Sequence, residues 1–182
     1  MPTQSYGLQG KTVLITGAAG GIGQALARAF LAQGAQLLLL DREADALDAL
    51  VTPLHSSEVH SAVCDLGSDA QVAAVAAQVG QRWGRLDVLV NNAGVEYPTP
   101  IDSEVPDAML RWVALLDNNV ASMVRLTQAL LPLMASGGSV INQSSIWGRV
   151  GVAGRSDLPP PQNPAGAPPG SRAPPRGAPR RP

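Results

Sequence analysis

Short apolar runs rich in Val, Leu and Ile alternate along this chain with longer stretches in which apolar positions recur at helical spacing. The runs fall at 12–16, 36–40, 59–64, 86–90 and 139–142, each about the length of a strand buried on both faces. Between them, 22–33, 43–54, 69–82 and a long stretch over 107–135 carry apolar residues every three or four positions, the stripe a helix turns toward a core. Gly34 stands where the first helix must stop, and Ser68 with Gln71 forms a capping box that opens the third. Pro132 should kink or end the long helix, because proline has no N–H to donate. Strands alternating with helices require βαβ crossovers, so the expectation is an α/β fold with a doubly wound parallel sheet of about five strands.

The pattern ceases at Leu158. The next 24 residues hold ten prolines and four arginines but no Val, Leu, Ile, Met or aromatic residue. Nothing there can build a core, which predicts a disordered tail of polyproline II character over 158–182 behind one domain over 1–157. Residues 1–158 carry nine basic and fourteen acidic groups, so the folded part has no basic face for a phosphodiester backbone and no nucleic acid partner is expected. No stretch approaches the roughly 20 apolar residues of a membrane span, and residues 1–10 lack the charged and apolar pattern of a signal peptide. Cys64, the single cysteine, ends an apolar run. It reads as a small buried hydrophobe in a reducing compartment, and cytoplasmic residence is the expectation. No metal site is assigned.

The chemistry begins where the first strand runs into Thr16, Gly17, Ala18, Ala19, Gly20, Gly21, Ile22 and Gly23, with an apolar helix starting at once. Glycines there let backbone N–H groups approach a pyrophosphate, and the positive end of the helix favours its charge; this is the Rossmann-like arrangement for a dinucleotide. The competing reading is a flexible turn, which a glycine cluster wedged between a buried strand and a helix disfavours. The second strand ends about twenty residues on in Asp41. A carboxylate there can accept from the adenosine ribose hydroxyls and would repel a 2′-phosphate, favouring NAD over NADP. Asp41 could instead cap the next helix, and Arg42 beside it could pair with a phosphate. Asp65, after the third strand, either orients the adenine or simply sits in the loop before the helix capped by Ser68.

Taken together, Thr16 and Gly17, Gly21 and Gly23, the Asn91-Asn92-Ala93-Gly94 run after the fourth strand, Asn119 in the long helix and the Ser144-Ser145 pair after the fifth strand resemble the short-chain dehydrogenases/reductases. The likeness covers about residues 8–157. It implies that Thr16, Gly17, Gly21, Ile22 and Gly23 hold a pyrophosphate, that Asp65 with Leu66 meets adenine, and that Asn92, Ala93 and Gly94 line the cofactor cleft. Asn119 would position a proton-relay water, and Ser145 would hydrogen-bond the carbonyl or hydroxyl of a small-molecule alcohol or carbonyl substrate.

The family's chemistry also needs a tyrosine about thirteen residues beyond that serine and a lysine four positions later; this sequence has Leu158 and Gln162. A tyrosine of intrinsic pKa about 10 works as a base only beside an ammonium and the cofactor's positive ring, and leucine transfers no proton at all. The resemblance therefore implies an oxidoreductase fold, incomplete in its sheet, whose activity is lost or strongly impaired. Loss of the following elements would also leave the fifth strand an open edge and work against oligomer assembly. One hypothesis for the change at 158 is a reading-frame shift: 158–163 read one base later permits, without requiring, Tyr-x-x-x-Lys, and the coding DNA tests this. Two other classes stay open: a nucleotide-binding pseudoenzyme whose tail recruits a partner, and a chain that does not fold stably.

Overall fold

Five parallel strands organise the chain. The computed structural model describes residues 6–96 and 107–145. Strand β1 (Thr12–Thr16) is followed by α1 (Gly21–Ala32), β2 (Gln36–Asp41), α2 (Ala44–Val51), β3 (Val59–Val63), α3 (Asp69–Trp83) and β4 (Leu86–Asn91). Then come α4 (Ala108–Leu116), α5 (Ser122–Leu130) and β5 (Met134–Asn142). The spatial order is β3-β2-β1-β4-β5. The chain therefore builds outward from β1 to β3, then returns to lay β4 and β5 on the other side, which is the doubly wound, Rossmann-like α/β sheet expected. Residues 6–95 and 114–143 form one compact unit; Glu96, 107–113, Ser144 and Ser145 belong to a second. The expected tail over 158–182, with Leu158 and Gln162, lies outside the described residues, as do Tyr97 and Trp147.

Alternation along the strands divides the interior into two layers, because successive side chains leave opposite faces of a sheet. Val13 and Ile15 of β1 join Leu37, Leu39, Val88 and Val90, packing with Ala27 of α1 and with Leu47 and Leu50 of α2. Leu14, Leu38, Leu40 and Leu89 face the other way, onto Val72, Val75 and Val79 of α3 and Leu126 and Leu130 of α5. Every residue of β1 and β4 is buried, as their central place requires, and each fully buried Leu or Ile contributes about 2 kcal/mol.

The N-terminal ends of β1 and β4 are joined by Asp87. Its carboxylate accepts from Thr12 N–H (3.0 Å), Thr12 Oγ1 (3.0 Å) and Lys11 Nζ (3.1 Å), with Arg85 Nη2 at 3.2 Å. Burial alone would raise the Asp87 pKa, but the Thr12 N–H, the lysine, the hydroxyl and the arginine charge outweigh it and hold the carboxyl below its ordinary value.

Three local expectations are corrected. The stretch over 107–135 is one helical run but not a uniform α-helix: α4 gives way to a π-turn at Asp117–Ala121, α5 follows without a break, and a 3-10 turn at Leu131–Leu133, holding Pro132, ends the run as expected. The π-turn forms where Asn118 Nδ2 takes the Ala114 carbonyl (2.7 Å) and Ser122 N–H reaches back to Asp117 O. Pro132 sits in the 3-10 turn, where the missing donor is tolerated. Second, β5 begins at Met134 rather than at 139. Its register to β4 shifts between Leu86 and Val88, and Gly137 takes a φ of 78° within the bulge. Third, the Ser68–Gln71 box is half made: Ser68 Oγ accepts from Gln71 N–H (3.4 Å), but the Gln71 side chain accepts from Asp65 N–H (2.8 Å) instead of Ser68 N–H. Among the described residues β5 pairs with β4 alone, and Val140 and Ile141 are exposed.

Candidate functional site

The C-terminal ends of β1, β2 and β4 and the residues after β3 surround a cleft of about 500 Å³. Its floor is the turn from β1 into α1. Gly17 adopts φ 60°, and a Cβ there would lie 2.8 Å from Ala93 Cα. A Cβ on Gly23 would strike the Gly17 carbonyl and come within 2.7 Å of Ala18 Cα. These two positions must be glycine for the turn to close on itself and on the chain after β4.

Thr16 and Asn92 lock that junction reciprocally. Thr16 Oγ1 accepts from Asn92 N–H (3.0 Å) and Ala93 N–H (2.9 Å), while Asn92 Nδ2 donates to Thr16 O (3.0 Å) and Gly17 O (3.2 Å). The backbone donors of both neighbours are thereby satisfied, and the turn is held to the central strands.

Helix α1 opens at Gly20, where no side chain caps the first turn and no acidic residue stands in it. The first N–H groups of a helix lack intrahelical acceptors and carry the positive end of its dipole. An added Cβ on Gly21 would meet nothing within 4 Å, so no neighbouring segment covers that residue. The donors thus suit a diphosphate.

Asp41 ends β2 with its carboxylate turned back on the backbone. Oδ2 accepts from Ala19 N–H (2.9 Å), and Oδ1 accepts from Arg42 N–H (2.8 Å) and Glu43 N–H (3.3 Å). The capping reading of Asp41 is not met, since the N-cap of α2 is Glu43 and no side chain caps it; the Asp41 carboxylate instead holds the turn ahead of α2 and lines the cleft. A carboxylate has about four acceptor sites, so three N–H bonds leave room for a further donor. Arg42 is not free, since its Nε pairs with Glu43 Oε1 at 3.1 Å, both side chains exposed.

After β3, Asp65 Oδ1 accepts from Gly67 N–H (2.9 Å) and Ser68 N–H donates to Asp65 O (3.0 Å). That is an Asx-type turn, and Asp65 and Leu66 line the cleft as well. Asn119, in the π-turn, spends both amide atoms on one residue: Oδ1 accepts from Val95 N–H and Nδ2 donates to Val95 O, each at 2.8 Å. Its side chain therefore staples the segment after β4.

Of the residues singled out from sequence, Thr16, Gly17, Gly21, Ile22, Gly23, Asp41, Arg42, Asp65, Leu66, Asn92, Ala93 and Gly94 all border the one cleft, and Asn119 braces its rim through Val95. Ser145 and its neighbour Ser144 are exposed and lie in the second unit. The sequence reading missed Leu40, Glu43, Ala46, Cys64, Val95, Asn118 and Ser122 as lining residues. For Cys64 and Glu43 the clue was adjacency to Asp65 and Asp41; for Ser122 nothing in the pattern pointed there. Burial, and then the Asp65 carboxylate, push the Cys64 thiol up, so it is an inert wall and not a nucleophile. Among the described residues no cluster of three or more His, Cys, Asp or Glu could hold a metal ion, and no helix is long and apolar enough to cross a membrane.

Residues 11–157 match the family model described as short chain dehydrogenase. The chain belongs to the short-chain dehydrogenase family. Members of this family bind a nicotinamide cofactor. This short-chain dehydrogenase is 40% identical over 148 residues to the (5R,7aS)-5-hydroxy-7a-methyl-1-oxo-2,3,5,6,7,7a-hexahydro-1H-indene-carboxyl-CoA reductase of Mycobacterium tuberculosis, a match covering 78% of this chain and 55% of that protein. It is 35% identical over 144 residues to the D-threitol dehydrogenase of Mycolicibacterium smegmatis, covering 77% and 54%. Among solved structures, the short-chain dehydrogenase/reductase of Brucella melitensis described as a glucose/ribitol dehydrogenase superposes with a TM-score of 0.78 at 26% identity, covering 86% of this chain and 66% of that one. The chain spans about half the length of the curated relatives it matches.

Proposed function

We propose that this chain binds NAD in the cleft at the C-terminal end of its sheet and is the cofactor-holding part of an alcohol/carbonyl oxidoreductase, with little or no turnover of its own. The uncapped N-terminus of α1 behind the Gly17–Gly23 turn carries the reading, because free, aligned N–H donors there suit a pyrophosphate. When bound, the nicotinamide ring supplies or accepts a hydride.

The protein's own residues hold the rest. Asp41 would accept from an adenosine ribose hydroxyl at the site its three backbone bonds leave over, and its charge disfavours a 2′-phosphate. Glu43 works in the same direction by occupying Arg42, the nearby cation that could otherwise receive that phosphate. Asp65 and Leu66 would flank the adenine. Asn92, Ala93 and Gly94 would wall the cleft, and Asn119 would keep that wall in place through Val95. One N–H of Nδ2 and one lone pair of Oδ1 are left over for the relay water that Asn119 would position. Ser145 is proposed to hydrogen-bond the substrate oxygen.

Proton transfer is what the chain lacks. Leu158 and Gln162 stand where the family has tyrosine and lysine, and Lys11 is the single lysine. Lys11 pairs with Asp87 at the N-terminal end of β1, the opposite end of the strand from the cleft. General acid–base assistance is worth about 10² to 10⁴ in rate, so bound cofactor should not yield rapid hydride transfer. The single, buried Cys64 favours a reducing, cytoplasmic setting.

Titration of the purified chain with NADH, followed by a carbonyl-reduction assay, tests this. Saturable binding without turnover is expected. Absence of binding in a cooperatively melting chain would refute the cofactor reading, and steady reduction at rates usual for the family would refute the inactivity.

A further inference from the structure

Arg125 lies on α5, outside the cleft lining, yet its guanidinium reaches three separate places. Nη1 donates to the Leu66 carbonyl at 2.7 Å, Nε meets Asp69 Oδ1 at 2.8 Å, and Nη2 meets Asp117 Oδ1 at 3.3 Å. Leu66 belongs to the cleft wall after β3, and Asp69 is the first residue of α3. Asp117 opens the π-turn, whose Asn118 lines the same cleft together with Ser122, the first residue of α5. The Arg125 side chain is only 25% exposed, whereas Asp69 is 89% exposed, so the cation is the ordered centre of the group.

Beyond Arg125, the Leu66 side chain packs on the core layer that Leu126 and Leu130 of α5 share, but the remaining hydrogen bonds of the loop at 65–68 are local. Asp65, Gly67 and Ser68 bond within the loop or to Gln71 of α3. Such bonds fix the loop's internal shape without fixing its distance from α5. A short, charge-assisted bond to the Leu66 carbonyl supplies that distance, and the planar fork of arginine can hold it while pairing two carboxylates.

We propose that Arg125 is a positioning residue that sets the separation of the two cleft walls at the adenine end and so preorganises the chain for the adenosine half of its cofactor. The inference rests on the NAD-binding reading above. Without Arg125 the loop would need to be ordered by the ligand itself, and affinity would fall by the cost of that ordering.

The test measures dissociation constants for AMP and for NADH by calorimetry, with deuterium uptake of the backbone at 65–68 and at 17–23, in the wild-type chain and in Arg125→Ala and Arg125→Lys. Ordering roughly one residue's backbone corresponds to about a ten-fold change in affinity. Arg125→Ala should therefore weaken AMP and NADH alike by about ten-fold, with faster exchange at 65–68 and unchanged exchange at 17–23. Arg125→Lys, a point charge unable to span three acceptors, should fall between, at about three-fold. Wild-type affinity in either variant overturns the inference alone, as does protection lost equally at 17–23, which would mark a general loss of fold. A wild-type chain that binds neither AMP nor NADH overturns the inference together with the function beneath it.

Discussion

Replacing Asp41 with asparagine separates two tasks that its carboxylate combines. Asn keeps a side-chain oxygen for Ala19 N–H, the bond of 2.9 Å that ties the glycine turn to β2, but removes the charge and the second oxygen, which accepts from Arg42 and Glu43 N–H. For NADH, a ribose bond to a charged acceptor becomes one to a neutral acceptor. That difference is about 1 kcal/mol, and affinity should fall about five-fold. For NADPH the sign reverses. A carboxylate and a phosphate of about two charges repel by about 2 kcal/mol at 4 Å in a water-like medium, and relieving this should strengthen binding by about thirty-fold. The ratio of the two dissociation constants should thus move by about two orders of magnitude. Fluorescence titrations at low and high salt read it, and the NADPH half should shrink at high salt because exposed charges are screened over about 10 Å. Asp41→Ala, which also removes the acceptor for Ala19, should weaken both cofactors relative to Asp41→Asn. A ratio that stays within three-fold of wild type in Asp41→Asn would refute the assignment of Asp41 to the ribose.

Glu43→Gln should release Arg42 and improve NADPH affinity about five-fold, in line with one exposed ion pair, while leaving NADH within two-fold in the same titration. Gly23→Ala places a methyl group against Gly17 O and Ala18; overpacking of this kind costs about 1–3 kcal/mol, so a lower melting temperature and loss of NADH binding are expected in thermal shift and titration. The Asp87 carboxyl is held below its ordinary value, so the folded state favours its ionised form. Its stabilisation is complete above the ordinary carboxylate range near pH 4 and disappears as pH falls through the lowered folded value. Asp87→Asn should accordingly lose about 2–4 kcal/mol at pH 7 in denaturant titration; a gap that does not narrow below pH 4 would count against the charged network.

The regular part of the fold was legible because buried strands and amphipathic helices leave periodic traces: β1 and β4 carry apolar centres, Val13–Ile15 and Val88–Val90, and are buried throughout. The glycine turn was legible for a steric reason, since Gly17 and Gly23 leave no room for a Cβ. What escaped depends on competition between nearby bonds. The π-turn at Asp117–Ala121, where the Asn118 side chain bonds the Ala114 carbonyl, widens a helix that hydrophobic spacing reads as uniform. The early start of β5 depends on a bulge at Gly137 that only pairing with β4 reveals. Arg125 looked like an ordinary polar position on a helix; its partner Leu66 lies 59 residues away, and no local pattern reports that distance.

The opposite allegiance of neighbouring residues in β1 bears on how the molecule opens. Ile15 and Val13 answer to α1 and α2, and Leu14 between them answers to α3 and α5. Transient loosening of either helix pair strips one side of the strand and leaves the other gripped. Amides of β1 should consequently be the slowest to exchange, released only when both layers part together, while each pair of helices breathes on its own clock.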